Sequence, residues 1–279
     1  LLSNTTGSSN IAIGYRAFDA STTATNSVAI GDDALGATTS AGNNVGVGYH
    51  ALLSNTTGTE NVAIGTEALD ASTTANQGTA VGHEALSSNT TGIRNTAFGR
   101  KALFSVTTGQ QNVAVGSSCL LNNTSSNNTA VGNDAMVANT TGSQNVAVGA
   151  IALDANTSGN NNTVMGYAAA TSNTTGHSSV YIGSNAYATG ENSVNNVVIG
   201  MNAMNTSSGG GSHVIIGKDA AKNMANSVSY ATVIGDRAVG SGAMSSDHNT
   251  FIGHYSGYSA TSVTRTTGVG SNSLAAITT

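Results

Sequence analysis

Residues 54–69 read SNTTGTENVAIGTEAL, and residues 88–103 read SNTTGIRNTAFGRKAL. Aligning the glycine of each such phrase, from Gly14 to Gly270, gives sixteen phrases with a step of 17 residues in twelve of fifteen intervals. A step of 16 precedes Gly132, and steps of 18 precede Gly235 and Gly253. So many units at a short fixed period specify a solenoid. A helical repeat needs about 30 residues for two packed helices, whereas Thr, Val and Ile strands with Gly, Asn and Ser turns fit one β-coil in the space available. The expected fold is all-β: a parallel β-solenoid (β-roll) of about 17 residues per coil and 16 coils, uninterrupted over residues 1–279. At roughly 4.8 Å per coil it would make a rod of about 75–80 Å.

Composition agrees with stacking. Of 279 residues 38% are hydrophobic, but aromatics are 4%, charged residues 8%, and there is neither Pro nor Trp. Bulky core material is scarce, yet the net charge of −5 is too small to favour a disordered chain. No basic stripe offers phosphate contacts, so no nucleic-acid partner is expected. No apolar run is long enough to span a bilayer, so direct membrane insertion by this segment is not expected either. The lone Cys119 has no partner for an intrachain disulfide. The chain opens on LLSNTT, in mid-repeat, as a segment of a longer fibrous protein would.

Position within the repeat assigns faces. One residue before the glycine stand Ile13, Ile64, Phe98, Val115, Met165 and Ile216 among sixteen apolar residues, and three before it stand Val, Ile or Thr. Strand period two puts these on one face, expected to be the inward one, closed by Leu35, Leu52, Leu69 and their equivalents four after the glycine. Four before the glycine, Asn recurs in ten of sixteen coils, as at Asn44, Asn61 and Asn95, where stacked amides would fix register.

On this assignment the position two before the glycine points outward. It carries Ala63, Ala80, Ala97, Ala114, Val164, Tyr181, Val198, Ile215, Val233 and Phe251, none of them charged. An apolar outer column implies a strand buried on both sides, so these ten residues are the expected seam of a parallel homo-oligomer, widening where the side chains grow large. Twelve of the 21 charged residues sit one or two places after the glycine, among them Arg16, Asp33, Glu67, Glu84, Lys101 and Arg237, and mark a solvated turn.

No catalytic constellation, cofactor motif or metal spacing is expected. The histidines occupy different columns or distant coils, and none forms H-E-x-x-H. GGGSH at 209–213 lacks the G-K-(S/T) of a phosphate loop. Glu67 and Glu84 fall in one column on successive coils, the disposition of a solvated pair. The NTT sequons, as at Asn55 and Asn89, recur with the coil and read as turn chemistry. Paired threonines such as Thr56 and Thr57 raise an ice-binding reading, but neighbours in a strand point to opposite faces. Tyrosines concentrate in the last third, and Tyr255 and Tyr258 are the candidates for a ligand surface, with a glycan or a protein receptor as partner.

The phrases NSVAIGDDAL, ENVAIGTEAL, QNVAVGSSCL and SQNVAVGAIAL resemble the head repeats of trimeric autotransporter adhesins. SNTTGTENVAIG and SNTTGIRNTAFG more closely resemble the NTTG-type repeats of tail-fibre-like proteins of bacteriophages and bacteria. The resemblance covers essentially the whole chain. It implies a left-handed, trimeric β-roll, and a structural shaft of an extracellular or virion fibre that presents host or surface attachment elements. The alternative it implies is the head of a bacterial cell-surface adhesin, although such heads commonly keep a shorter repeat.

Overall fold

The computed structural model describes residues 2–207, 210–225 and 228–277. It is an all-β parallel β-solenoid with sixteen strands of three residues, one per repeat. The chain comprises two compact units, Leu1–Thr141 and Gly142–Thr279. The first holds β1 (Ile11–Ile13) through β8 (Thr129–Val131), and the second holds β9 (Val146–Val148) through β16 (Thr267–Val269). Within each unit consecutive strands are parallel and in register, as in Val62↔Thr79, Ala63↔Ala80 and Ile64↔Val81. Coil-to-coil bonding continues around the turns. The Leu69 N–H donates to the Ala85 carbonyl at 3.0 Å, and the Thr56 N–H donates to that of Thr73 at 3.0 Å.

The strands face the other way from the sequence-based expectation. In every strand from β2 (Val28–Ile30) to β16 the middle residue is buried, and it is this residue that stands two before the glycine. Ala63, Ala80, Ala97, Ala114, Val164, Tyr181, Val198, Ile215, Val233 and Phe251 have no accessible surface within the single chain, so they form its core and cannot be an oligomer seam. Period two establishes that alternate residues share a face, but not which face is inside. Coil size decides that. The interior is narrow and already holds the leucine column, leaving room opposite each leucine for Ala or Gly.

The larger members follow the same constraint. Val164 faces a coil whose leucine position is Ala170, Ile215 one with Ala221, and Phe251 one with Gly257, all fully buried except that glycine needs no volume of its own. A Cβ on Gly257 would fall 2.5 Å from the Phe251 ring. Conversely Gly46 sits beside Leu35, where a Cβ would lie 3.3 Å from the side chain. In these coils large and small exchange places, as close packing requires. Others hold two larger side chains: Val198 with Met204, Val233 with Val239, and Tyr181 with Tyr187, the last pair stacked at 4.6 Å between ring centroids. Gly190 stands where many other coils carry Asn, and a side chain there would overlap the Tyr187 ring.

Three positions per coil hold non-glycine residues in the left-handed region: two and four after the glycine, and five before it, as at Glu67 (φ 56°), Leu69 (φ 51°) and Glu60 (φ 61°). Each such residue costs about 1–2 kcal/mol. For the leucines, burial of the side chain offsets this with about 1.5–3 kcal/mol. The repeat glycine itself adopts φ near +136° at Gly65, and a Cβ there would meet the Gly82 carbonyl oxygen at 2.5 Å, so the close backbone stacking requires glycine.

The asparagine column is a buried ladder. The Gly78 N–H donates to Asn61 Oδ1 at 2.8 Å, the Asn61 N–H donates to Asn44 Oδ1 at 2.9 Å, and Asn61 Nδ2 donates to the Ala75 carbonyl at 2.8 Å. The ladder therefore ties successive coils through side-chain to backbone bonds, beside the backbone bonds of the strands and turns. The NTTG asparagines close local turns: Gly58 N–H donates to Asn55 Oδ1 at 3.1 Å, and Asn55 Nδ2 returns to the Gly58 carbonyl at 3.0 Å.

Candidate functional site

With the small residues inside, the first and third residues of each strand turn outward. Within each unit these two columns make a continuous strip of Val, Ile, Thr, Phe and Met on the sheet's outer face. Ile64 is 41% exposed, Phe98 42% and Met165 47%, and Ile11, Ile13, Val115, Val131, Val146, Val214 and Val269 are exposed as well. The third residue is apolar in every strand, whereas the first alternates among Val, Ile and Thr, so this outer face carries more apolar surface than a fully solvated face needs. The large strand side chains that sequence reasoning placed in the core thus form the surface, and the column assigned to the surface forms the core, while Leu35, Leu52 and Leu69 are buried as expected.

The residues that flank the strands in sequence are polar and pair along the coils. On one side Arg16 Nε lies 3.2 Å from Asp33 Oδ1, with His50 Nε2 3.9 Å from Asp33 Oδ2. In the same column Lys101 Nζ lies 3.2 Å from Glu84 Oε2. On the other side Gln77 Nε2 donates to Glu60 Oε2 at 3.0 Å, and Arg94 Nε donates to Gln77 Oε1 at 3.0 Å. In the first unit the strip is therefore flanked in sequence by polar side chains that pair along the coils. Exposed pairs of this kind add little stability and set which neighbour is tolerated.

Tyr255 and Tyr258 come together, as a ligand surface would require, with ring centroids 4.7 Å apart at an interplanar angle of 68°. The neighbouring coil adds Arg237, whose Nη1 donates to the Tyr255 hydroxyl at 2.6 Å and whose guanidinium lies 5.7 Å from that ring. This contact raises the Arg237 pKa, so the group stays charged. His254 stands edge-on to Tyr255 at 4.2 Å and reaches Asp236 at 3.6 Å. From the sequence Arg237 reads only as part of a solvated turn, and His254 is not a ligand candidate. The signal was present, since Arg237 and Tyr255 both lie two after their glycines.

Other expected features take ordinary places. Cys119 is fully buried, and burial pushes its thiol pKa up to about 12. His213 occupies the asparagine column and is buried, its pKa lowered to about 4 chiefly by desolvation. Of GGGSH, Gly209 lies outside the described residues. Thr57 is exposed, while Thr56 is half-buried with its hydroxyl donated to the Thr73 carbonyl at 3.0 Å. A cleft of about 580 Å³ lies along the first coils between Arg16, Asp19, Asp33 and Ser54. Among the described residues no three His, Cys, Asp or Glu side chains gather as metal ligands. No helix among the described residues is long and apolar enough to cross a membrane. No family model and no curated protein matches the chain.

Proposed function

We propose that the chain is the shaft of an extracellular or virion fibre, of the phage tail-fibre kind, in which parallel copies associate through their outer sheet faces and present attachment elements to a host or surface. The observation that carries this reading is the strip of outward-facing first and third strand residues, in which the third is apolar in every coil and the first is Val, Ile or Thr, flanked by polar side chains that pair along the coils. A single chain leaves that strip in water, and a second copy offers an identical strip at the same coil spacing. The number three follows from the resemblance of the NVAIG and NTTG phrases to fibre and adhesin repeats. Symmetric copies would bring several attachment elements to one target, where linked contacts multiply affinity.

The test is the solution mass of the segment by light scattering, compared with Ile64→Asp/Ile216→Asp on the strip and with Thr57→Asp off it. Three chains for the wild type and for Thr57→Asp, falling to one for the strip variant, is the expected result. A wild-type monomer at every concentration would sink the fibre reading.

A further inference from the structure

We propose that Arg237, Tyr255, Tyr258, His254 and Asp236 form a surface site for a carboxylate-bearing sugar, a hexuronate unit of an acidic polysaccharide. The proposal rests on the attachment reading above and supplies its ligand class. Two successive coils build the cluster. Arg237 follows Gly235 by two residues, Tyr255 follows Gly253 by two, and the stacking of coils sets one beside the other.

The chemistry follows from what each group has left to offer. The guanidinium carries five N–H donors in a planar fork, and one of its nitrogens is committed to the Tyr255 hydroxyl at 2.6 Å. That bond holds the fork in place, and no other hydrogen bond engages its remaining donors among the described residues, which suits bidentate capture of a carboxylate. Asp236 and Asp219 attract Arg237 from a distance, but among the described residues no carboxylate lies within ion-pair distance of it, so the fork itself is not taken up by an acidic side chain. Tyr258 adds a ring beside the fork, half-buried against Gly240 and set edge-on to Tyr255. Such a ring takes the C–H face of a pyranose as it would another apolar face. Asp236 and His254, held together at 3.6 Å, add a hydroxyl acceptor and a ring nitrogen. A carboxylate, a C–H face and vicinal hydroxyls occur together on a hexuronate. Free phosphate offers only the first kind of contact, and a neutral hexose lacks it.

Saturation-transfer NMR and titration calorimetry with trigalacturonate, with maltotriose and inorganic phosphate as comparisons, test the assignment. Trigalacturonate is expected to receive saturation from tyrosine ring protons, with maltotriose weaker. Arg237→Ala should weaken trigalacturonate by about tenfold or more, the worth of a charge-assisted contact. Tyr258→Ala should weaken it while phosphate binding stays unchanged. Circular dichroism checks that each variant is folded, and Arg237→Lys serves as a milder change that keeps the charge but loses the fork. Absence of transfer at millimolar trigalacturonate, an unaltered affinity in Arg237→Ala, or equal binding of phosphate would overturn the sugar site. A monomeric chain that still binds trigalacturonate through Arg237 would sink the fibre reading and leave this one standing.

Discussion

Phe251 fills the volume that a side chain at residue 257 would require: a Cβ placed on Gly257 falls 2.5 Å from its ring. The two positions are the small and the leucine columns of a single coil, with their sizes exchanged. Phe251→Ala should therefore destabilise the second unit by about 3–5 kcal/mol through the cavity it leaves. Gly257→Leu alone should destabilise by overpacking. The double variant, which recreates the Ala and Leu of the early coils, should recover much of both losses, and denaturant midpoints of the four proteins measure this directly.

Charge placed inside and outside the coil should act differently. Val198→Asp buries a carboxylate with no partner in the core and should unfold its surroundings, since an uncompensated buried charge is strongly destabilising. Ile64→Asp puts the same group on the exposed strip and should leave the circular dichroism spectrum of the single chain intact. Equal unfolding by both would contradict the observed orientation of the strands.

Asn61 serves three coils at once, so Asn61→Ala should cost about 1–3 kcal/mol by stranding the Gly78 amide and the Ala75 carbonyl. Hydrogen exchange at Gly78 should quicken in the variant, with smaller changes far along the unit.

His213 makes the stability of its unit sensitive to acid. It replaces an asparagine of the ladder: its N–H donates to Asn196 Oδ1 at 3.1 Å, and its Nδ1 accepts the Ala231 N–H at 3.2 Å. Protonation would remove that acceptor, and burial already lowers the pKa from 6.5 to about 4, opposed by the Val228 carbonyl and Asp247. Below pH 6.5 the unfolded chain takes up a proton that the folded one refuses, so stability falls as the pH drops from 6.5 towards 4 and is flat in this term below that. The full effect is on the order of 3 kcal/mol. Unfolding midpoints against pH should show this slope in the wild type and lose it in His213→Asn. An unchanged slope in the variant would assign the acid sensitivity elsewhere.

Leu69 sits at φ 51° with its side chain buried, so strain and burial pull in opposite directions there. Leu69→Ala keeps the strain and loses the burial, whereas Leu69→Gly loses both. The glycine variant should be no less stable than the alanine one, against the usual order, as thermal midpoints can establish.

The 17-residue spacing was legible because glycine is demanded at one place per coil: any side chain at Gly65 would strike the Gly82 carbonyl, so the letter recurs wherever the backbone stacks. The ladder was legible for a similar reason, since Asn61 both donates and accepts along the axis. Orientation was not. Ile64 and Ala63 differ in the direction opposite to ordinary burial preference, because a coil this narrow admits only alanine beside Leu69. The left-handed leucines gave no signal either, since leucine has no propensity for φ near +51° and holds it only by being buried. Tyr255 was visible as an aromatic in a polar turn, while its partner Arg237 lies a whole coil away and emerges only when the two glycines are superposed.

Because the repeat glycines and the core leucines from Leu35 to Leu120 in the first unit meet copies of themselves, a coil there makes closely similar contacts with the coil beside it. In the segments 54–65 and 88–99 the asparagine amide closes the same turn, Asn55 donating to the Gly58 carbonyl and Asn89 to that of Gly92. Near-identical stretches of gene that encode interchangeable parts invite unequal recombination, and each such event would add or remove whole coils without creating a new interface. Length in such a protein is thus a freely variable trait, while the side chains at its outer turns change independently of it.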